Sequence, residues 1–214
     1  YQKPPQSPFI VESTPLENPF WEYSRQKIAC EHSLQIAHET RQFPTTVIRP
    51  SLTYDTVIPL AIASWNDFTM VQRAREGKPF VVHGDGSSLW TITHADDFAV
   101  GFCGLLGNPQ ALGEAYHITS DEVLTWNQIY DEFAAAAGAG PLEKIYIPST
   151  RLARLAPELE GSLLGDKAHS VIFDNTKIKS VVPEFKASIS WREGIARTIQ
   201  WFEEKAERRT IVAA

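Results

Sequence analysis

The chain has 214 residues, 43% hydrophobic and 21% charged, and its 26 acidic and 20 basic side chains leave a formal charge of -6. That balance describes a folded chain and excludes a disordered or collagen-like one, and the scattered Lys and Arg offer no basic footprint for nucleic acid. No run of about 18 apolar residues is present, so no helical membrane span is expected.

Taken in chain order, residues 1–19 read as a loop, because Pro4, Pro5, Pro8, Pro15 and Pro19 interrupt regular structure. A helix is expected from Phe20 to about Thr40, with Ile28, Ala29, His32, Leu34, Ile36 and Ala37 forming an apolar face. Gln42-Phe43-Pro44 ends it, and the β-branched run Thr45–Ile48 predicts a short buried strand closing at Arg49-Pro50. The apolar spacing from Ile58 to Glu76 predicts a long amphipathic helix. Pro79–Val82 reads as a strand, His83–Ser88 as a turn, and Leu89–Thr93 as an extended stretch. A small-residue helix follows through Leu106, with Asp96 as its expected N-cap. Ala115–Thr119 is the next strand.

Thr125 is expected to cap a helix ending at Gly138 and Gly140. Lys144–Ile147 reads as a strand, Arg151–Leu164 as a helix broken at Pro157, and Asn175–Val181 as a short helix. A last helix is expected from Trp191 to about Arg208, with Lys205, Arg208 and Arg209 complementing its dipole. Trp126, Trp191 and Trp201 sit among apolar neighbours and are expected in the core. Strands alternating with helices make the fold class α/β. Cys30 and Cys103 are too few for a disulfide framework and lack metal-ligand spacing. Both are expected as buried thiols in a reducing, cytoplasmic compartment, with no metal site. The chain opens at Tyr1 with no initiator Met and no signal-peptide pattern.

Tyr23 and Lys27 stand four residues apart on the first helix and share one face. An ammonium beside a phenol stabilises the phenolate, and such a pair can exchange a proton with a substrate hydroxyl or carbonyl. By itself a Tyr and a Lys at this spacing also fit an ordinary solvent-facing helix surface.

The wider context resembles the extended short-chain dehydrogenase/reductase superfamily, the NAD-dependent epimerase/dehydratase group. The residues that carry the resemblance begin with the loop Glu12–Leu16 and Asn18-Pro19, followed by Tyr23–Glu31. Val47–Tyr54 is similar to that group's strand end, Val82–Ser88 to its Gly-Asp-Gly turn, and Thr93–Ala99 to its His-x-Asp-Asp helix start. Tyr116–Ser120 and Asp174–Pro183 follow in the same order.

The resemblance implies the C-terminal part of a Rossmann-like, doubly wound dinucleotide-binding fold with a small α/β substrate-binding region. Residues 1–55 would belong to the dinucleotide side, 56–93 to the substrate region, 94–120 to the returning sheet, and 121–214 mainly to the substrate region and last helix. Tyr23 would be the catalytic acid/base, and Lys27 would hold the nicotinamide ribose. Pro50 and Ser51 would lie near the nicotinamide of NAD or NADP. Tyr54, Trp90 and Lys167 would face the substrate. Asp97, His83 and His94 would be structural, and Arg49 would anchor the strand end. A homodimer and a small-molecule substrate are implied as well.

Three departures qualify this picture. The group's glycine-rich phosphate turn, whose backbone amides approach a pyrophosphate, is absent, and so is the Ser/Thr that precedes its Tyr. The chain is therefore expected to be the C-terminal portion of an enzyme, inactive alone. The Arg that follows the Gly-Asp-Gly turn in nucleotide-sugar enzymes is replaced by Trp90, which has no charge to hold a diphosphate. Lys167 and His169 are the nearest substitutes for a second such Arg. A non-catalytic RNA-binding member of the same fold is the rival expectation, disfavoured by the acidic charge and the retained Tyr23 and Lys27.

Overall fold

The computed structural model describes residues 1–212 of the chain. Its helices and strands alternate through most of the sequence, as the pattern of short β-branched runs and longer periodic stretches requires. After β1 (Phe9–Ile10), the 20-residue α1 (Glu22–Arg41) leads into β2 (Val47–Pro50) and β3 (Leu52–Tyr54). Gln42 takes the left-handed conformation that ends α1 where the sequence predicts a stop. The strand 47–54 is broken only at Ser51. Its first half pairs in parallel with β7 (Ala115–Ile118) and its second half in parallel with β6 (Ile92–His94).

Further on, β4 (Phe80–His83) pairs in parallel with β9 (Lys144–Ile147), and β1 with β10 (Ile172–Phe173). Among the described residues the antiparallel ladder is β5 (Leu89–Trp90) with β8 (Leu124–Thr125). The remaining helices are α2 (Thr69–Arg75), α3 (Ala95–Leu105), α4 (Trp126–Ala136), α5 (Ser149–Leu155), the short α6 (Glu160–Ser162), α7 (Thr176–Val181) and α8 (Trp191–Glu203). From α6 the chain runs on through one π-helical turn, Leu163–Lys167.

Two apolar clusters hold these elements together. The larger gathers Phe80, Trp126, Tyr130, Phe133, Trp191 and Phe202, where α4 packs against α8 and receives Phe80 of β4 against Tyr130 and Phe133. The smaller joins Leu105, Tyr116, Ile118, Ile178, Val182 and Phe185 around β7. Gly101 and Gly104 let α3 approach this second cluster, since a Cβ on Gly104 would stand 2.3 Å from Val182. Thr125 caps α4 in a reciprocal box with Gln128, as the sequence suggests.

Several expectations need correction. The stretch from Ile58 to Glu76 is helical only over α2; Ile58 and Leu60 are fully buried from a loop, so their spacing reflects core filling around Pro59. The N-cap of α3 is His94, whose Nδ1 accepts from the Asp96 amide at 3.2 Å, and not Asp96. Helix α1 forms as expected but buries none of its residues, and Leu34 and Ile36 are exposed. Both cysteines are exposed. The last helix stops at Glu203, and Arg208 returns to donate to the Trp201 carbonyl at 2.7 Å. No helix among the described residues is long and apolar enough to cross a membrane.

Candidate functional site

The start of α1 is fixed by the loop before it. Asn18 Oδ1 accepts from the amides of Phe20 and Trp21, while its Nδ2 donates to the Gly165 carbonyl at 2.8 Å. One buried side chain thus ties the first turn of α1 to the π-helical turn that carries Lys167. The middle of the helix is tied to β2. Arg49 donates from Nε to Glu31 at 3.0 Å, makes a second bond from Nη2 to the same carboxylate, and reaches Tyr1 Oη and the Glu12 carbonyl through Nη1. Arg49 therefore anchors the strand end as expected, against both the helix and the N-terminal loop.

Between these two ties lies a cleft of about 660 Å³, lined among others by Tyr23, Lys27, Pro50, Ser51, Trp90 and Lys167. Six of the seven sequence-predicted site residues thus meet on one surface. Lys27 Nζ stands 5.3 Å from the Tyr23 ring centroid, and the Trp21 ring lies 5.0 Å from that of Tyr23. The Tyr23 side chain is half-exposed, open to whatever enters. At the strand break, Ser51 Oγ and Thr93 Oγ1 share a hydrogen bond of 2.9 Å. Trp90 is buried, stacks on Trp126 at 5.8 Å, and keeps an indole N–H without a partner.

Tyr54 does not join them. Its ring packs edge-on against Trp191 at 5.1 Å and His94 at 5.3 Å, deep in the larger core, and burial pushes its phenol well above the usual tyrosine range. His83 is buried edge-on to Trp126 with Nε2 unpartnered, a packing role in the core. Burial first, and the Lys167 charge second, push its imidazole down to about 4. Asp97 is architectural: its carboxylate accepts from the Ile189 amide at 2.8 Å and from Ser188 Oγ.

Sequence reasoning missed four residues of this region, Tyr1, Lys3, Trp21 and Asp166. Tyr1 Oη bonds the buried His117, and burial pushes the phenol up to about 12. The only available signal was the Gly165-Asp166-Lys167 run; nothing marks a lysine inside a proline-rich loop.

Phenol, ammonium and serine hydroxyl beside an open cleft are a donor set suited to a nicotinamide ribose. The cleft lining holds no glycine-rich turn for a pyrophosphate, so the fit covers the nicotinamide end. No group of three or more His, Cys, Asp or Glu positioned for a metal ion exists among the described residues.

A family model described as the NAD dependent epimerase/dehydratase family matches residues 1–119. The chain is 25% identical over 168 residues to 2'-dehydrokanamycin reductase of Streptomyces kanamyceticus, covering 78% of this chain and 47% of that protein. It thus spans about half the length of that relative. UDP-glucuronic acid 4-epimerase from Bacillus cereus, solved with UDP-glucuronic acid and NAD, aligns with a TM-score of 0.72 at 18% identity, covering 94% of this chain and 58% of its own. RMD from Pseudomonas aeruginosa, complexed with NADPH, aligns at 0.62 and 16% identity, covering 86% and 56%. These likenesses show the Rossmann-type fold of epimerases and dehydratases.

Proposed function

The chain belongs to the NAD dependent epimerase/dehydratase family, and from that membership we propose that it is part of an NAD(P)-dependent oxidoreductase or isomerase. The observation that carries the proposal is the meeting of Tyr23, Lys27, Pro50 and Ser51 on one cleft wall. Tyr23 and Lys27 hold the nicotinamide ribose end of the cofactor, next to the strand end where open α/β sheets receive ligands. When bound, the nicotinamide supplies hydride exchange at a carbon bearing a hydroxyl or carbonyl. Tyr23 Oη gives or takes the proton of that substrate oxygen, with the Lys27 ammonium beside its ring. Ser51 orients groups at the end of the strand, and Trp90 and Lys167, which line the same cleft, face the substrate.

The substrate is a small molecule, sugar-like in its hydroxyls, without a nucleoside diphosphate. Supporting this is Trp90, which offers one neutral N–H where a diphosphate needs a guanidinium. A relative named for reduction of 2'-dehydrokanamycin fits the same reading. The cofactor is a nicotinamide dinucleotide, NAD or NADP. The 214 residues alone lack a phosphate cradle, so they are expected to turn over nothing without one supplied. A homodimer built on the solvent-facing side of α1 belongs to the same proposal, and sedimentation tests it.

The deciding experiment uses the enzyme that contains these residues and follows nicotinamide absorbance with a hydroxyl or carbonyl substrate panel. Tyr23→Phe is expected to lower turnover by roughly 10²–10⁴-fold while leaving the unfolding midpoint unchanged, since the side chain is half-exposed. A fully active Tyr23→Phe enzyme refutes the role given to Tyr23.

A further inference from the structure

The chain has six tryptophans, and they divide into two kinds. Trp90, Trp126 and Trp191 are buried in the larger apolar cluster, and Trp201 packs against it. Trp21 and Trp65 belong to neither cluster, and both are half-buried on the lining of the main cleft. Indole is the largest apolar body a chain can place, so one kept out of the core beside an open cleft needs a reason.

Each of the two is held in place. Trp21 stands at the N-terminal cap of α1, where its amide donates to Asn18 Oδ1 at 3.1 Å. Its side chain rests on α6 and the π-helical turn, which carry glycine at both points of approach. A Cβ at Gly161 would stand 2.2 Å from Trp21 Cδ1, and one at Gly165 would stand 2.7 Å from Trp21 Cβ. Neither glycine has a positive φ, so it is the closeness of Trp21 that requires them. Trp65 comes from the loop between β3 and α2. Its indole Nε1 donates to the Leu60 carbonyl at 2.8 Å, and its own carbonyl accepts from the Ile58 amide at 2.9 Å. Ile58 and Leu60 are fully buried, so the loop is fixed from within the core. With its N–H already engaged, Trp65 has carbon surface to offer the cleft and not a hydrogen bond.

We propose that Trp21 and Trp65 are the ring-holding residues of the cleft, taking the C–H faces of a cyclic polyol, and that they select a ring over an open-chain hydroxy compound. The electron-rich face of an indole attracts the weakly positive C–H bonds of a saturated ring. Hydroxyls at the rim of such a ring suit the polar groups on the same lining, Ser24, Lys27 and Ser51. The Tyr23 ring lies 5.0 Å from that of Trp21, so a substrate ring resting on Trp21 has its rim beside the phenol. The inference rests on the reading that the cleft receives a small-molecule substrate, and it assigns the residues that recognise the shape of that substrate.

The test is a titration of the protein, labelled with ¹⁵N at tryptophan, with methyl β-D-glucopyranoside and with D-sorbitol, which carries similar hydroxyls on an open chain. It follows the indole N–H signals of Trp21 and Trp65, assigned by Trp21→Phe and Trp65→Phe. Saturable shifts at both are expected with the glucoside, and none with sorbitol at equal concentration. Trp21→Leu and Trp65→Leu should each weaken glucoside binding at least tenfold. No saturable shift, equal responses to the two polyols, or glucoside binding that survives both leucine substitutions overturns the proposal. Benzyl alcohol is the third arm: saturation at a lower concentration than the glucoside overturns the assignment of a saturated ring. Should a leucine variant fail to fold, the contrast between glucoside and sorbitol decides on the unaltered protein. Tyr23→Phe separates the two readings, because ring binding should persist there even if activity measurements refute the role given to Tyr23.

Discussion

Removing the Glu31 carboxylate should release α1 from the sheet. The helix buries none of its own residues, so its central tie to β2 is the two-pronged contact of Glu31 with Arg49. The two side chains are only 18% and 14% exposed, respectively. An exposed pair contributes roughly 0.2–1 kcal/mol, whereas stripping one partner from a buried pair costs roughly 3–5 kcal/mol. Arg49 would retain Tyr1 Oη and the Glu12 carbonyl as acceptors, and water can reach it from the cleft. The expected loss for Glu31→Ala is therefore at the low end, about 3 kcal/mol. Urea unfolding at unchanged slope measures it, and amide exchange along α1 localises it. Glu31→Leu combined with Arg49→Met should recover most of the loss, because no charge is then left unpaired. Single substitutions that stay within about 0.5 kcal/mol of the unaltered protein, with α1 equally protected, would refute this account of how the helix is held.

Other outcomes follow from the same structure. His83 is held neutral in the fold but protonates near 6.5 when unfolded, so stability should be intact above pH 6.5 and fall as pH drops toward about 4. The loss approaches about 3 kcal/mol, and His83→Phe should flatten that part of the stability-against-pH curve. Gly86 has φ +71°, and a Cβ there would lie 2.4 Å from Asn127 Oδ1, which also accepts from Tyr146 Oη. Gly86→Ala should cost about 2–3 kcal/mol in denaturant unfolding. Cys30 and Cys103 should both react with a thiol reagent in the native protein, and two equivalents without denaturant is the expected count.

The sequence carried the fold well where short-range chemistry decides. The Thr125–Gln128 capping box, the stop at Gln42 and the β-branched run into Pro50 all depend on neighbours within a few residues. It carried the candidate site through the order of its landmarks, and six of seven proposed residues line one cleft. What it could not carry was distance. Ile58 and Leu60 are spaced like a helix face but reach the core from a loop, because buried loops obey no period. Leu34 and Ile36 follow a helical pattern yet face outward, since periodicity says nothing about what a helix packs against. Tyr54 and Ser51 are three residues apart on the strand 47–54, yet one turns into the core and the other lines the cleft. Lys3 acquires its neighbourhood only when a proline-rich loop folds against a turn more than 160 residues away.

The ladders also set a timetable for the chain's birth. Phe9–Ile10 pairs with Ile172–Phe173, and Val47–Pro50 with Ala115–Ile118, so each parallel pairing waits on a distant partner. At ribosomal speeds of about 5–20 residues per second, β1 spends on the order of ten seconds without its neighbour. Such pairings close large loops before any contact rewards them, which slows folding. A nascent chain of this design depends on α1 and its prolines to stay out of trouble until β10 emerges. Its vulnerability to aggregation is therefore greatest during synthesis, well before any stability of the finished fold can protect it.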